Sequence, residues 1–514
     1  MHLGKANYYG HDMTLPQGLT MSSGRMIVIG IFALAATLRV VIPAADGTLT
    51  QAIGFDDSVY FFASQHLWLG SLPYRDFLFI HPPGILVALS PFAWLAAVVP
   101  DSVAMTVATI AFGLLGAGAA AMVAMLLMRY GRLSAVAGGG TYAVWSAAVW
   151  SDTAPLQAPL VSTAVLGALV LLTRTRTPHP IVAGLLLGFG MTVKMWAVVP
   201  VAVFAVWLLV RHGKVVAAKF AGAAAAMTIA ICMPFFVLAP ADMFHAVIGV
   251  PTGRPRAQGF DERVFYFSGS ILHHDRLPAP IWVLIGVTGI ALCALPLAKV
   301  LRTRRSPRSW PETSWWSVLA LAQLATLLVS PLFYDHYTSF AAPVLCLLIG
   351  YGVGVLAADA RTRTTLVAAA VGAVLLALAV GAIRTIDQGV RQPHELADIL
   401  RADECTWSLT PAPLIAGDVA HQQVRDGCPV FVDHYAMLID ETDATDDRIG
   451  EVSPTARRYQ GAIADQLRRA DAALFNGAEF AGLSPNTRAI VDSEFTLDHT
   501  VGDYQYWRRT SDSR

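Results

Sequence analysis

Acidic residues are nearly absent from the long apolar stretches that fill this chain up to about residue 385, and charged residues of either sign are only 14% of its 514 residues. Proton- or ion-coupled transporters normally keep carboxylates at the bilayer midplane, within inverted repeats, and neither feature is found. The chain has no GxxxxGK[ST] loop and no GxGxxG strand-turn-helix, so the usual phosphate cradles of nucleotide-driven chemistry are missing. No Cys/His spacing resembles a zinc site. Lysine disappears altogether after residue 385, and the formal net charge is zero. A nucleic-acid partner is not expected.

Apolar sequence is what remains: 55% hydrophobic residues, a positive mean hydropathy, and repeated windows of about 20 residues that each suffice to cross a bilayer. The chain therefore reads as a multi-pass plasma-membrane protein in contact with membrane lipids. Arg-rich loops belong on the cytoplasmic side. This rule places spans at 26–44, 102–128, 133–150 and 155–173, and later at 215–239, 280–300, 314–332, 338–358 and 364–384. The run 180–211 is too long for one span and is interrupted by Lys194 and Pro200, so it reads as two short helices meeting on the outer side. The count is about eleven transmembrane helices, with the N-terminus cytoplasmic and the C-terminus outside. Segment 82–100 is apolar, but counting it as a crossing would put Arg129 and Arg132 outside; it reads as a re-entrant or interfacial helix. Residues 1–25 form a polar cytoplasmic tail without a cleavage pattern.

The composition changes after residue 385. The remaining 129 residues hold 22 acids, 12 arginines and no lysine, as expected of a soluble domain. Apolar runs at 413–416, 429–432 and 472–475, interleaved with a helix-like stretch at 455–470, indicate a small α/β fold, and the final residues read as a hairpin turning at 501–503. Of five cysteines, Cys232, Cys293 and Cys346 fall in spans. Cys405 and Cys428 fall in the external domain, where a disulfide is permitted; spacing alone leaves open a bridge or two separate thiols. The domain plan is thus tail 1–25, transmembrane domain 26–385 with its first external loop at 45–100, and extracytoplasmic α/β domain 386–514.

Chemistry concentrates in that first loop, in FDDSVYFFASQHLWLGSLPYRDFLFIHPPG from Phe55 to Gly84. Charges held against a bilayer are costly. Asp56 and Asp57 lie beyond the end of the first span, where a carboxylate can act as a general base. The structural alternative is that Asp56 caps the following helix while Asp57 stabilises its first turn.

The order Asp56-Asp57-x-x-Tyr60, a helix closing on Gly70, Pro73-Tyr74-Arg75-Asp76-Phe77 and then His81-Pro82-Pro83-Gly84 resembles the first external loop of the GT-C membrane glycosyltransferases, in particular the branch of protein O-mannosyltransferases and aminoarabinose transferases. The resemblance implies an all-α polytopic catalytic domain with interfacial helices in that loop. It implies inverting transfer of a sugar from a polyprenyl-phosphate donor to an envelope glycan, lipid or protein acceptor on the outer face, with Asp56 as base. Asp57 and Tyr60 would support the acceptor or a metal ion. No cofactor is certain, although paired acids could hold a divalent ion.

Cations are needed where charge grows on the leaving phosphate. Lys194, in GFGMTVKMW, is similar to a lysine that relatives carry after a Gly-rich helix; its bland reading is a snorkelling lysine. Arg39, in the outer third of the first span, requires a partner such as Asp56 or a phosphate. His81 replaces a lysine of some relatives, so its charge is not assured. Arg75 joins this donor-binding set, as do His336 and Tyr337 of the YDHY stretch before the tenth span, which otherwise forms an interfacial aromatic belt. Arg254, Arg256 and Arg263 of the loop 240–278, with the stretch 273–276 following, are further candidates, and for any one of them ordinary solvated loop is the readier reading. The alternative function is a transporter or flippase of lipid-linked sugars. Ala- and Arg-rich, Lys-poor usage points to a GC-rich genome and to mannosyl or arabinosyl transfer in cell-envelope biogenesis.

Overall fold

The computed structural model describes residues 21–175, 177–254, 259, 263, 279–304, 306–358, 361–386, 390–441 and 453–510. Arg256 and the stretch 273–276 lie outside these.

Helix α1, Met21–Ala36, runs on through a wide π turn, Thr37–Val41, and a last turn, Ile42–Asp46, until Gly47 takes a left-handed conformation (φ 82°) and stops it. Next come α2 (Phe55–Trp68) and α3 (Gly84–Leu95). The twelve residues of α3 span about 18 Å at 1.5 Å per residue, short of the roughly 30 Å hydrocarbon core. This length suits a re-entrant or interfacial segment.

Asp101–Leu127 forms α4, and after it the sequence expectation fails in one place. The apolar run 133–150 is not one helix. It divides into α5 (Arg132–Ala143) and α6 (Ser146–Asp152), and α6 meets α7 (Gln157–Thr173) at 112°. No Gly or Pro marks the break at Val144 and Trp145, so hydropathy reads straight through it. A buried arginine from α1 supplies the reason, as described below.

Run 180–211 is indeed two helices, α8 (Pro180–Val193) and α9 (Val198–His212), followed by α10 (Lys214–Leu238). Gly184 and Gly188 of α8 lie so close to the backbone of Phe220 and Ala224 on α10 that a Cβ at either would overlap it, and Thr228 Oγ1 donates to the Gly188 carbonyl at 3.2 Å. The contacts climb both helices together, so α8 and α10 are parallel and α9 must run back between them. Small residues permit this approach where lipid offers no hydrophobic drive. The helical part continues with α11 (Ala279–Arg302), α12 (Glu312–Val329), α13 (Ala342–Ala357) and α14 (Arg361–Ile386). Among the described residues, five helices are long and apolar enough to cross a membrane, or six if α6 and α7 count as one bent span.

Among the described residues strands occur only beyond residue 405: β1 (Thr406–Ser408), β2 (Ala472–Asn476), β3 (Phe495–Val501) and β4 (Tyr504–Arg509), ordered β1-β2-β4-β3. The β1-β2 pair is parallel, while β4 is antiparallel to β2 and to β3. The closing hairpin turns through Gly502 and Asp503, as expected. Two other expected strands are absent: Ala412–Ala416 is helical, with Pro413 in its first turn, and 429–432 has no regular structure. Helices α15 (His434–Glu441) and α16 (Arg457–Arg469) complete this part. A disulfide joins Cys405 to Cys428 with Cα atoms 5.2 Å apart.

This C-terminal part is docked on the loop after α1 and on the first turn of α4 by backbone-directed hydrogen bonds. Ser102 N donates to Asp418 at 2.8 Å, His421 N to the Asp101 carboxylate at 3.1 Å, and Gln392 Nε2 to the Ile53 carbonyl at 3.1 Å.

Candidate active site

The acidic pair divides its work at the start of α2. Gly54, with extended backbone, is the N-cap, and its N–H donates to Asp57 Oδ2 at 3.1 Å in a capping box. A Cβ on Gly54 would stand 2.7 Å from Asp57 Oδ1, which explains the glycine. Asp57 is therefore the capping carboxylate, reversing the capping alternative read from the sequence. It is 4% exposed, and burial pushes its pKa up to about 7. Asp56 is left out of the cap. Among the described residues no hydrogen bond or ion pair holds it, and it faces a cavity of about 400 Å³.

The same cavity receives Lys194 and His81. Lys194 stands at the break between α8 and α9, in extended conformation, and its ammonium lies over the rings of Trp196 (4.5 Å) and Tyr337 (4.4 Å). Such cation–π contacts hold a charge without neutralising it. Burial pulls the Lys194 pKa down to about 8, and the charge of Asp56 opposes that shift. His81 is brought alongside because Gly84 packs directly on Thr192 of α8, where a Cβ would overlap both backbone and side chain. Tyr60 Oη lies 3.1 Å from His81 Nε2, and Tyr74 Oη donates to the His81 carbonyl at 2.6 Å. Burial first, then the charges of Lys194 and Arg254, push the His81 pKa down to about 3. The imidazole is uncharged at neutral pH, so His81 orients Tyr60 and adds no cation.

His336 and Tyr337 line the cavity from the turn Asp335–Phe340. The His336 ring stacks on Trp150 at 4.7 Å and on Tyr334 at 5.7 Å.

Two predicted donor ligands are elsewhere. Arg39 is fully buried and paired with Asp152 at 2.8 Å, and its guanidinium donates to the carbonyls of Ala143 (2.8 Å) and Tyr142 (3.4 Å). These are carbonyls from the end of α5, which lack partners within the helix. Its partner is thus Asp152 and not Asp56 or a phosphate, and the pair stabilises the break that hydropathy missed. Arg75 is exposed and paired with its neighbour Asp76 at 2.7 Å, away from the cavity.

Removing one member of a buried pair costs about 3–5 kcal/mol, because the other charge is stranded. Arg39→Ala should therefore reduce accumulation and lower the melting temperature of the purified protein, whereas Arg75→Ala should change neither. Equal melting of the Arg39 variant and the parent would refute the pairing as a fold determinant.

The cavity is also lined by Arg254, which the sequence offered only as a lesser candidate, and by Asp433 and Tyr435, which escaped the sequence reading. Arg254, taken for solvated loop, places its guanidinium 5.7 Å over the Tyr435 ring. Arg263, from the same loop, is buried and donates to the carbonyls of Leu328 (3.0 Å), Ser330 (2.6 Å) and Pro331 (2.9 Å), closing the end of α12. Asp433 precedes α15 and is buried; burial first, with the charge of Asp56 adding to it, pushes its pKa up to about 7. No local pattern announces it, because it lies far along the chain from Asp56. Among the described residues no group of three or more His, Cys, Asp or Glu side chains could hold a metal ion. With Asp57 turned into the helix cap, the residues present do not fit the divalent ion that the acid pair suggested.

Solved structures with the same architecture include ArnT from Cupriavidus metallidurans bound to undecaprenyl phosphate, at TM-score 0.55 and 13% identity, covering 96% of this chain and 98% of that one. The Archaeoglobus fulgidus oligosaccharyltransferase tethered to an acceptor peptide with an NVT sequon matches at TM-score 0.56 and 9% identity, covering 96% of this chain and 75% of that one. The oligosaccharyltransferase AglB of the same organism, in complex with an inhibitory peptide and a dolichol-phosphate, matches at TM-score 0.54 and 12% identity, covering 95% and 74%. At these identities the likeness is one of fold, and the fold is GT-C. By sequence, residues 79–331 match the family model of Glycosyltransferase family 87, while no curated protein matches. The chain thus has the GT-C fold, and just under half of its length matches a glycosyltransferase family model.

Proposed function

We propose that the protein transfers a sugar, with inversion, from a polyprenyl-phosphate donor to a cell-envelope acceptor on the extracytoplasmic face. The observation that carries this reading is Asp56: a carboxylate free of the helix cap, facing one cavity together with two cations, Lys194 and Arg254. The undecaprenyl phosphate and dolichol-phosphate of the structural neighbours support a lipid-phosphate donor.

In the proposed step Asp56 accepts the proton of the acceptor hydroxyl as its oxygen attacks the anomeric carbon. The bond from that carbon to the phosphate oxygen breaks on the opposite face, and its electron pair leaves with the polyprenyl phosphate. Lys194 and Arg254 stabilise the growing negative charge, which matters most in a site shielded from water. The products are the glycosylated acceptor, polyprenyl phosphate, and a proton on Asp56. His336 and Tyr337 orient the sugar or phosphate by hydrogen bonds. A transporter reading is not favoured by this placement, because the acids lie in an external loop and at α15 and not within a span.

Membranes containing the protein should release the sugar from a polyprenyl-phosphate-linked donor onto an acceptor, and membranes lacking it should not. A reporter active only outside the cytoplasm should work when fused after residue 386 and be silent at Arg308. The opposite pattern would put Asp56 in the wrong compartment and end this reading.

A further inference from the structure

Three carboxylates line the one cavity: Asp57 is taken up by its helix cap, and the transfer step uses only Asp56. The third, Asp433, comes from the C-terminal part of the chain, and its position is held from several directions. Phe55, adjacent to Asp56, packs edge-on against the rings of His434 (5.2 Å) and Tyr435 (6.2 Å). Tyr435 Oη is 3.4 Å from Tyr334 Oη, and at the far end of α15 His245 Nε2 is 2.6 Å from Asp440 Oδ1. Helix α15 is thus pinned against the first turn of α2, which carries Asp56.

Asp433 Oδ1 accepts the Ala436 N–H at 2.9 Å, the bond of an N-cap. A carboxylate offers about four acceptor positions, so capping leaves capacity for a bound molecule. A buried carboxylate facing a cavity is costly unless a donor meets it. A lone acceptor hydroxyl can meet Asp56 but cannot also meet Asp433.

Resting on the glycosyltransfer reading above, we propose that Asp433 is an acceptor-positioning residue: it accepts a hydrogen bond from a second hydroxyl of a polyol acceptor, while Asp56 takes the hydroxyl that reacts. The site then selects sugars over acceptors with a single hydroxyl, such as a serine side chain. A site built around a hydroxyl rejects analogues that lack it, because its own polar group is left unpaired. The Tyr435 and Tyr334 rings supply the apolar faces on which a sugar ring rests.

The test uses the full chain in lipid nanodiscs and probes of one tail length: octyl mannoside and octyl glucoside as polyols, and octyl tetraethylene glycol, which ends in a single hydroxyl. Undecaprenyl phosphate serves as the donor-side probe. At least one glycoside should bind the parent protein about tenfold or more tightly than the single-hydroxyl probe, and Asp433→Asn should abolish that preference, as expected when a hydrogen bond to a charged group is lost. Asparagine keeps the capping oxygen, so the fold is retained, and undecaprenyl phosphate should bind parent and variant alike. A merely structural Asp433 would not move the preference. If the parent fails to bind undecaprenyl phosphate, the glycosyltransfer reading falls and this inference falls with it. If undecaprenyl phosphate binds but the glycoside preference is missing, or survives Asp433→Asn, only the inference is overturned. A serine-containing peptide displacing the glycosides from the parent at lower concentration would overturn it as well.

Discussion

Asp56→Asn should slow sugar transfer by roughly 100-fold to 10,000-fold, the usual contribution of general-base catalysis, while the protein accumulates normally and still binds its lipid-phosphate donor. Asparagine preserves the shape of the side chain and removes only its ability to take a proton. Since Asp57 and not Asp56 accepts the Gly54 N–H, the Asp56 substitution leaves the helix cap untouched. Asp57→Asn should be milder, because the amide oxygen can still accept that N–H. Asp57→Ala loses it at a cost of about 1 kcal/mol in stability. The measurement is initial transfer rate against donor bound, for each purified variant. Near-normal transfer by Asp56→Asn with none by Asp57→Asn would move the base by one residue. Normal transfer by both would defeat carboxylate-assisted glycosyl transfer here.

Lys194→Ala should cost about 100-fold to 1,000-fold in turnover, the loss seen when one preorganised donor to a developing anion is removed. It should also raise the donor concentration needed for half-maximal rate. A group that touches the phosphate in both ground and transition states affects both parameters. His81 cannot take over the charge, because burial and neighbouring cations keep its pKa near 3. Arg254 is the remaining cation on the cavity wall among the described residues. A Lys194→Met control keeps an apolar chain of similar length over Trp196 and Tyr337, separating lost charge from lost packing. Unchanged donor dependence in both variants would mean that Lys194 only snorkels.

What was legible in the sequence depends on local signals. Hydropathy alone establishes a membrane protein, and the proline and lysine interrupting 180–211 announce two helices. The spacing of Asp56, Tyr60, His81 and Gly84 marks the segment that lines the cavity because these residues lie close together in the chain. Cys405 and Cys428 could be paired only in three dimensions, since a spacing does not bring Cα atoms within bonding reach.

The rest was decided by tertiary structure. Whether Asp56 or Asp57 capped the helix was a choice between neighbours with the same chemistry, settled by the approach of Gly54 to one of them. Arg39 resembled a donor ligand because a lone arginine near the outer end of a span demands a partner. Its partner proved to be Asp152, more than a hundred residues away, and nothing local to either residue encodes that meeting. Arg254 and Asp433 are ordinary loop residues by composition. They become cavity residues because the fold brings Arg254 over Tyr435 and carries α15, with Asp433 before it, to the side of Asp56. Sequence alone thus determined the membrane setting, the topology signals and one wall of the cavity, all written in short-range pattern. Folding decided the opposite wall, where the burial of distant polar groups against one another chose the partners.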